Sequence, residues 1–338
     1  LQKGNFKRLN TSMKNLPLEI DEYDLGSSNP SDYTLGGSTR ESIHVGYVYR
    51  AGYVYESKYM LEVAGRYDGH YYFAPGKRFA LFPSFSAGWR LSEEKFMQSL
   101  TFINNLKIRG SWGKSGNLAG SAYQYLAGYG FYPNQYAFGN NMVPAAYPNN
   151  EPNPNITWET SNKSDIGIEA GLWNNLLTIE ADYFFEKRKG MLLPPATIVP
   201  FEYGIGLSDE NEGIMDNHGI ELTIGSKYQF QNGLKLGLNG NFSYAKNKMV
   251  KVFETESTFN NPNRRRTGRS INTPFGYRSL GLFSTTDDKN SDGIIDANDG
   301  YNVVQFGELH PGDIKYEDIN NDDKIDAFFP GDSEMARQ

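Results

Sequence analysis

Apolar and polar side chains take turns along much of this chain. Leu177, Ile179, Ala181, Tyr183 and Phe185 alternate with Thr178, Glu180, Asp182, Phe184 and Glu186, so one face of the segment is apolar and the other largely charged. A period of two belongs to a β-strand whose faces meet different surroundings. Leu234, Leu236, Leu238, Phe242 and Tyr244 stand in the same way against Lys235, Asn239, Asn241 and Ser243, and Ile220, Leu222 and Ile224 against Glu221 and Thr223. Upstream, Tyr59, Leu61, Val63 and Tyr67 alternate with Glu62, Arg66 and Asp68, and Phe79, Leu81, Phe85, Ala87, Trp89 and Leu91 with Ser84, Ser86 and Arg90. The pattern predicts eight strands, over residues 40–54, 59–68, 78–92, 105–115, 157–172, 176–189, 214–228 and 234–250.

A β-sandwich alternates too, so the lengths of the links carry the distinction. Short links at 55–58, 93–104, 173–175 and 229–233 alternate with mostly long ones at 69–77, 116–156, 190–213 and from 251 onward. Tight turns on one rim and long loops on the other are expected of a membrane barrel, with the short rim periplasmic. Several strands exceed the roughly 9–11 residues that a tilted membrane strand needs, and should project beyond the bilayer. Residues 91–100 offer Ser92 as a cap with Glu94 and Lys95 behind it, which predicts one helical turn on the short rim. The expected class is all-β, a fragment of a large antiparallel transmembrane β-barrel. Residues 1–39 would be an extracellular loop segment, 40–250 the barrel strands, and 251–338 a long extracellular loop region.

Composition agrees with that class. The 338 residues include no cysteine, so neither a disulfide framework nor a thiolate metal site is available. No stretch approaches the roughly 18 consecutive apolar residues of a spanning helix. Mean hydropathy is −0.60, but an average says nothing about strands that expose every second side chain to lipid. The 23 Tyr, 21 Phe and 36 Gly favour strands joined by glycine-bearing turns. A net charge of −7 without a basic face argues against nucleic acid; Arg264, Arg265, Arg266 and Arg269 are the one dense basic run, expected to be a solvated loop. The chain starts at Leu1 with no signal-peptide pattern, and is expected to be part of a longer protein.

Several motifs together resemble the SusC/RagA family of TonB-dependent transporters. They are Arg66-Tyr-Asp-Gly69 with Phe73-Ala-Pro-Gly76, Phe82-Pro-Ser-Phe-Ser-Ala-Gly-Trp-Arg90, Ser92-Glu-Glu-Lys-Phe96 and Lys107-Ile-Arg-Gly-Ser-Trp-Gly-Lys-Ser-Gly-Asn117, then Trp158-Glu-Thr-Ser-Asn-Lys163, Asn217-His-Gly-Ile-Glu-Leu222 and Pro311-Gly-Asp-Ile-Lys-Tyr-Glu-Asp318. The sequence departs from the family where His70, Tyr71 and Tyr72 replace a Ser-Ser-Arg run and Asp323 replaces Gly. The resemblance implies a bacterial outer-membrane location and a 22-stranded barrel with an internal plug. It also implies TonB as periplasmic partner, a SusD-like surface lipoprotein over the mouth, and import of an oligomeric nutrient, most often a glycan or oligosaccharide. Oligopeptide uptake by the same architecture is the alternative within transport. A secreted calcium-binding β-protein or adhesin is the alternative outside it.

The sharpest local motif is Asp288-Lys-Asn-Ser-Asp-Gly-Ile-Ile-Asp-Ala-Asn-Asp299. Asp288, Asn290, Asp292, Asp296 and Asp299, with the Ile294 carbonyl, occupy the ligand positions of a calcium loop, and Gly293 its sharp turn. A weaker copy has Asp318, Asn320, Asp322, the Lys324 carbonyl and Asp326, with Asp323 at the glycine position and Phe329 at the last. Calcium here would be structural, neutralising carboxylates and pinning a loop with little apolar content. No catalytic or cofactor-binding set emerges. His44, His70, His218 and His310 lie in unrelated contexts without a nucleophile motif, and Gly113-Lys-Ser-Gly-Asn-Leu-Ala-Gly120 lacks phosphate-loop spacing. Glu62, Arg66, Arg90, Lys107, Arg109, Glu169, Glu180, Asp182, Glu221 and Lys235 would line a polar lumen. Tyr71, Tyr72, Tyr123 and Tyr125 are the candidate substrate-binding residues, because aromatic faces stack on sugars or bulky peptide side chains; packing within the loops or an interfacial girdle is the other role open to them.

Overall fold

The computed structural model describes residues 1–13, 33–149, 151–261, 264–326 and 333–335. Its centre is one antiparallel sheet of nine strands. They are β1 (Gln2–Met13), β2 (Tyr33–Tyr55), β3 (Tyr59–His70), β4 (Phe79–Arg90), β5 (Ile103–Asn117), β8 (Glu159–Leu172), β9 (Leu177–Leu193), β10 (Glu210–Gln229) and β11 (Lys235–Lys251), in that spatial order. Strands β6 (Tyr129–Phe138) and β7 (Asn141–Pro148) form a separate hairpin within the β5–β8 link. The sheet is open, with β1 and β11 at its edges.

All eight strands expected from alternation are present. The ninth, β1, corrects the expectation that residues 1–39 are loop: Gln2 pairs with His44 and Met13 with Tyr33. Its sequence hardly alternates, so its strand form comes from the backbone ladder with β2, which runs beyond the end of β3. The region from 251 also holds more than loop. It contains a short helix α1 (Glu256–Asn260), strands β13 (Ser279–Leu282) and β14 (Ile314–Tyr316) that pair with each other, and β12 (Phe275–Tyr277), paired with β15 (Ser333–Met335).

The register sorts the two faces. Across β2 to β5, Tyr53, Leu61 and Ala87 fall on one row and Ala51, Val63, Phe85 and Trp112 on the next. From β9 to β11, Tyr183, Ile220 and Tyr244 share a row, and Ala181, Leu222 and Phe242 the next. These apolar rows lie exposed on one face of the sheet, where Leu61, Phe85 and Ile166 are 57%, 49% and 64% accessible. A continuous apolar belt on a single sheet face is the surface that hydrocarbon covers in a barrel.

Charge collects on the opposite face. Arg109 on β5 meets Asp165 at 3.2 Å, Glu169 at 3.1 Å, Glu180 at 2.8 Å and Asp182 at 2.9 Å, gathering carboxylates from β8 and β9 around one guanidinium. Lys107 adds a second contact to Glu169 at 3.0 Å. The five donors of Arg form a planar fork that can serve several carboxylates at once, whereas a lysine offers one point charge.

On the short-turn rim, Trp173, Asn174 and Asn175 all have left-handed backbone, with φ of 51°, 58° and 59°. Such a run costs about 1–2 kcal/mol per ordinary residue. Asn104, at the start of β5, offsets part of it, its Oδ1 accepting from the N–H groups of Asn174 at 2.5 Å and Asn175 at 3.3 Å. The expected helical turn after β4 is two 3₁₀ turns, Leu91–Glu93 and Lys95–Met97, and Ser92 caps neither. Glu94 organises the rim instead, accepting from the Tyr59 hydroxyl at 2.6 Å and the Trp89 indole at 3.1 Å.

Candidate functional site

The long links gather on the rim opposite the tight turns. A small apolar core forms there from Phe73, Phe82, Ile156 and Trp158, residues supplied by the β3–β4 link, by β4 and by the end of the β5–β8 link. The Trp158 indole N–H donates to the Arg78 carbonyl at 2.9 Å, and the Arg78 guanidinium to the Phe73 carbonyl at 3.1 Å. Asn211 clips the next link: its side chain accepts from Thr157 N–H at 2.9 Å and donates to the carbonyls of Thr157 at 3.0 Å and Gly190 at 2.8 Å. The bond to Gly190 satisfies a carbonyl freed by the irregular register of β10 against β9, and the two to Thr157 tie the end of the β5–β8 link to β10.

This core brings the four candidate tyrosines together. Ring centres of Tyr71 and Tyr72 lie 5.0 Å apart, Tyr71 and Tyr123 5.6 Å, and Tyr123 and Tyr125 6.2 Å. Tyr72 and Tyr125 pack against this core, while Tyr71 is half-buried outside it and Tyr123 is exposed. Burial and the neighbouring tyrosine hydroxyls raise the Tyr71 phenol above its ordinary value. Tyr123 holds φ at 65°, a conformation that a bulky side chain seldom adopts and that the surrounding packing must maintain. His44 and His70, which have no common context in sequence, face each other across β2 and β3 with ring centres 5.8 Å apart, and His70 lies 4.7 Å from Tyr71.

Beside Tyr123 opens a cleft of about 830 Å³ between the β5–β8 and β9–β10 links, lined among others by Gln124, Tyr147, Asn149 and Ser208. Gln124, Tyr147, Asn149 and Ser208 were not singled out from sequence. The available signal was an absence, since residues 115–150 contain no charged side chain. The β6–β7 hairpin of that stretch stacks Tyr132 on Tyr147 at 4.4 Å and leaves Phe131 and Phe138 exposed.

Both calcium-type loops adopt the same turn. In the first, Asp288 Oδ2 accepts from Gly293 N–H at 2.9 Å, Asn290 Oδ1 from Asp292 N–H at 3.0 Å, and Asp292 Oδ1 from Ile294 N–H at 2.9 Å. In the second, Asp318 Oδ2 accepts from Asp323 N–H at 2.8 Å, Asn320 Oδ1 from Asp322 N–H at 3.2 Å, and Asp322 Oδ1 from Lys324 N–H at 3.0 Å. Asp323 takes φ of 62°, where Gly293 has 86°, so the replaced glycine leaves the turn intact. Asp299 is buried, a condition that works against its charge. The N–H groups of Asp296, Asn290 and Lys289 outweigh it and hold the carboxyl below the ordinary carboxylate range. Asp296 caps the following turn through Asn298 N–H at 2.7 Å. Lys324 pairs with Asp326 at 2.9 Å. Phe329 lies outside the described residues. Among the described residues, no three His, Cys, Asp or Glu side chains converge as a ready metal site. Backbone N–H groups hold these side chains turned into the loop, and each carboxylate keeps lone pairs beyond those bonds.

Residues 7–325 match the family model described as TonB dependent receptor-like, beta-barrel. TonB-dependent receptor P39 of Formosa agariphila is 28% identical over 334 residues, covering 91% of this chain and 30% of that protein. TonB-dependent receptor SusC of Bacteroides thetaiotaomicron is 27% identical over 219 residues, covering 64% of this chain and 21% of that protein. The chain thus spans about 30% of the length of the Formosa relative. The RagAB peptide importer in its closed-closed state superposes with a TM-score of 0.69 at 18% identity, covering 99% of this chain and 35% of that one. At that identity the likeness concerns the fold.

Proposed function

The chain belongs to the TonB dependent receptor-like β-barrel family and is an outer-membrane protein, and from that premise we propose that it forms part of the wall and outer loops of a SusC/RagA-type importer. The observation that carries this is the division of one sheet into an exposed apolar belt and a charged inner face, with the long links at 118–158 and 194–209 on the same rim. Side chains of the inner face meet a wet interior or a plug, and the barrel makes and breaks no bond. TonB supplies the driving force from the periplasm and a SusD-like lipoprotein closes the mouth. Recovery of that lipoprotein with the whole protein from detergent-solubilised outer membranes, identified by mass spectrometry, tests the partnership; its consistent absence overturns it.

We favour a neutral oligosaccharide as ligand. The Tyr71–Tyr123 pair and the adjoining cleft offer aromatic faces, amides and hydroxyls, with Glu151 the charged residue among the described lining, a set that suits the stacking faces and hydroxyls of sugar rings. Tyr71→Ala with Tyr123→Ala is expected to weaken oligosaccharide binding about tenfold, at about 0.5–1.5 kcal/mol per aromatic contact, while the barrel keeps its heat-modifiable gel migration. Calorimetry with purified glycans and with oligopeptides checks this. Binding of peptides alone favours the oligopeptide alternative, for which the RagAB importer is the structural precedent.

For the loops we propose structural calcium. Asp288, Asn290, Asp292, Asp296 and Asp299 with the Ile294 carbonyl would hold the first ion, and Asp318, Asn320, Asp322 and Asp326 with the Lys324 carbonyl the second. A bound divalent cation replaces repulsion among these carboxylates with attraction, which orders the loop. Millimolar calcium is expected to protect residues 284–326 from limited proteolysis, and Asp288→Ala with Asp292→Ala to abolish that protection. Identical digestion in calcium and in chelator defeats this assignment.

A further inference from the structure

Between the charged wall and the tyrosine cluster stand two imidazoles. His44 on β2 and His70 at the end of β3 are directly opposed in the register. Gln2 of β1 pairs with His44 on one side, and the Arg78 carbonyl accepts from His70 N–H at 3.2 Å on the other, so the pair lies inside the sheet. Alternation fixes its face. Glu62, Arg66, Asp68 and His70 project from one side of β3, and Glu62 shares a row with Ser86, Ser111 and Asp165, one of the carboxylates around Arg109. His70 therefore ends the inner face at the long-loop rim, where the tyrosines begin.

The His70 ring is a hub of that rim. Its centre lies 4.7 Å from Tyr71, 4.5 Å from Tyr72, 6.3 Å from Trp158 and 5.8 Å from His44, and its Nδ1 accepts from Tyr72 N–H at 3.4 Å. An accepting Nδ1 carries no proton, so this is a neutral imidazole with its hydrogen on Nε2. A second proton would find no counter-charge. The nearby carboxylate, Asp68, is held by Arg66 Nε at 2.9 Å and Nη2 at 3.1 Å, and stands 3.6 Å from His44 Nε2. The other groups around His70 are Tyr71 and Tyr72, then Arg40 and Tyr123 beyond Tyr71, and the uncharged Trp158. Burial, and after it the facing His44, hold the His70 imidazole below its ordinary value.

We propose that His70 is a positioning residue of the tyrosine site: neutral, it holds Tyr72 through Nδ1 and Tyr71 through its ring, and protonated it lets both go. Protonation removes the lone pair that Tyr72 N–H uses, and it places a charge among aromatic rings, opposite a second imidazole. A histidine whose folded-state value is depressed supports its surroundings fully above the ordinary value of about 6.5, and that support fades as pH falls below it. Neutral medium thus favours a fixed Tyr71 and Tyr72, and mildly acidic medium a loosened pair. This regulation belongs to the ligand site assigned to the tyrosines and rests on that assignment, whereas the loosening itself is visible without a ligand.

Hydrogen exchange of the whole protein in nanodiscs, corrected for the intrinsic pH dependence of exchange, tests this. Protection of residues 71–78 is expected to fall roughly tenfold between about pH 7.5 and about pH 5.5, the latter one unit below the ordinary histidine value, while residues 59–68 keep theirs. His70→Asn retains an acceptor in place of Nδ1 and gains no charge, so it should stay protected at both values. His70→Phe has no proton to gain and should show no pH dependence, whatever its level of protection. His44→Phe should keep the fall. Equal protection of the wild type at the two values overturns the proposal, as does a fall that persists in His70→Phe or vanishes in His44→Phe. Should the His70 variants lose heat-modifiable migration, the wild-type and His44→Phe profiles carry the comparison. Calorimetry with purified glycans at the same two values reads the ligand site separately. Weaker binding at the lower one is expected, and no binding at either counts against the ligand assignment rather than against His70.

Discussion

Trp158→Ala is expected to unfasten the long-loop rim while leaving the strands in place. Trp158 is 7% exposed and touches rings from two other chain segments, Phe73 at 5.3 Å and Phe82 at 5.4 Å between ring centres. Removing a buried indole costs about 3–5 kcal/mol, and it leaves the Arg78 carbonyl without its donor. So small a core has no other large side chain to take its place. Hydrogen exchange should show lost protection in residues 71–78 and 118–158, with residues 59–68 protected as before. Trp158→Phe keeps most of the packing and loses only the hydrogen bond, a change of about 1 kcal/mol. Unaltered exchange in the alanine variant would show that the links are ordered by something else. The candidate tyrosines depend on the same core, so ligand binding should fall along with protection.

Leu222→Arg is the second large effect. Leu222 shares its row with Ala181 and Phe242, between the row of Tyr183, Ile220 and Tyr244 and the row of Ile179 and Ile224. A guanidinium near the bilayer midplane costs about 2–4 kcal/mol, falling towards zero at the interface. Thr223→Arg places the same charge one residue along, on the face where Glu180 and Glu221 lie, and there it should cost little. Urea titration of the whole protein folding into lipid vesicles measures both. Equal costs for the two variants would contradict the assignment of faces. In detergent the penalty on Leu222→Arg should shrink, because the charge reaches water easily.

Much of the wall could be read locally. The β-strand period obliges neighbouring side chains to opposite faces, so a segment such as residues 177–186 declares both its conformation and its two environments without reference to any partner. Strand β1 shows the limit. Gln2–Met13 is largely polar, and it is a strand because β2 offers a ladder to pair with. That kind of information resides in the neighbour, as β-propensity commonly does. Ser92 shows another limit: its position suited a cap, but the chain turns into 3₁₀ form without a capping bond, and Glu94 makes the contacts that hold the rim.

The site was less legible. Four tyrosines were identifiable as residue types suited to a ligand, yet nothing local sets Tyr71 against Tyr123, or His44 against His70. Arg109 was recognisable as a lumen residue, but its four carboxylates arrive from strands that only the register places beside it. The calcium-type turns are the exception among loops, because Asp288 to Ile294 is a motif whose hydrogen bonds span at most a few residues.

By itself, then, the sequence determined the strand class, the two faces of the wall, the alternation of short and long links and the local form of the acidic turns. Each of these follows from interactions between residues close in the chain. Tertiary structure alone decided that Gln2–Met13 joins the sheet, that Trp158 sits in one core with Tyr72 and Tyr125, and that the backbone of Gly268 and Arg269 returns to pair with Met249 at the end of β11. Such contacts join segments distant in sequence, and which pairs form depends on the register of the whole sheet, a property that no single segment carries.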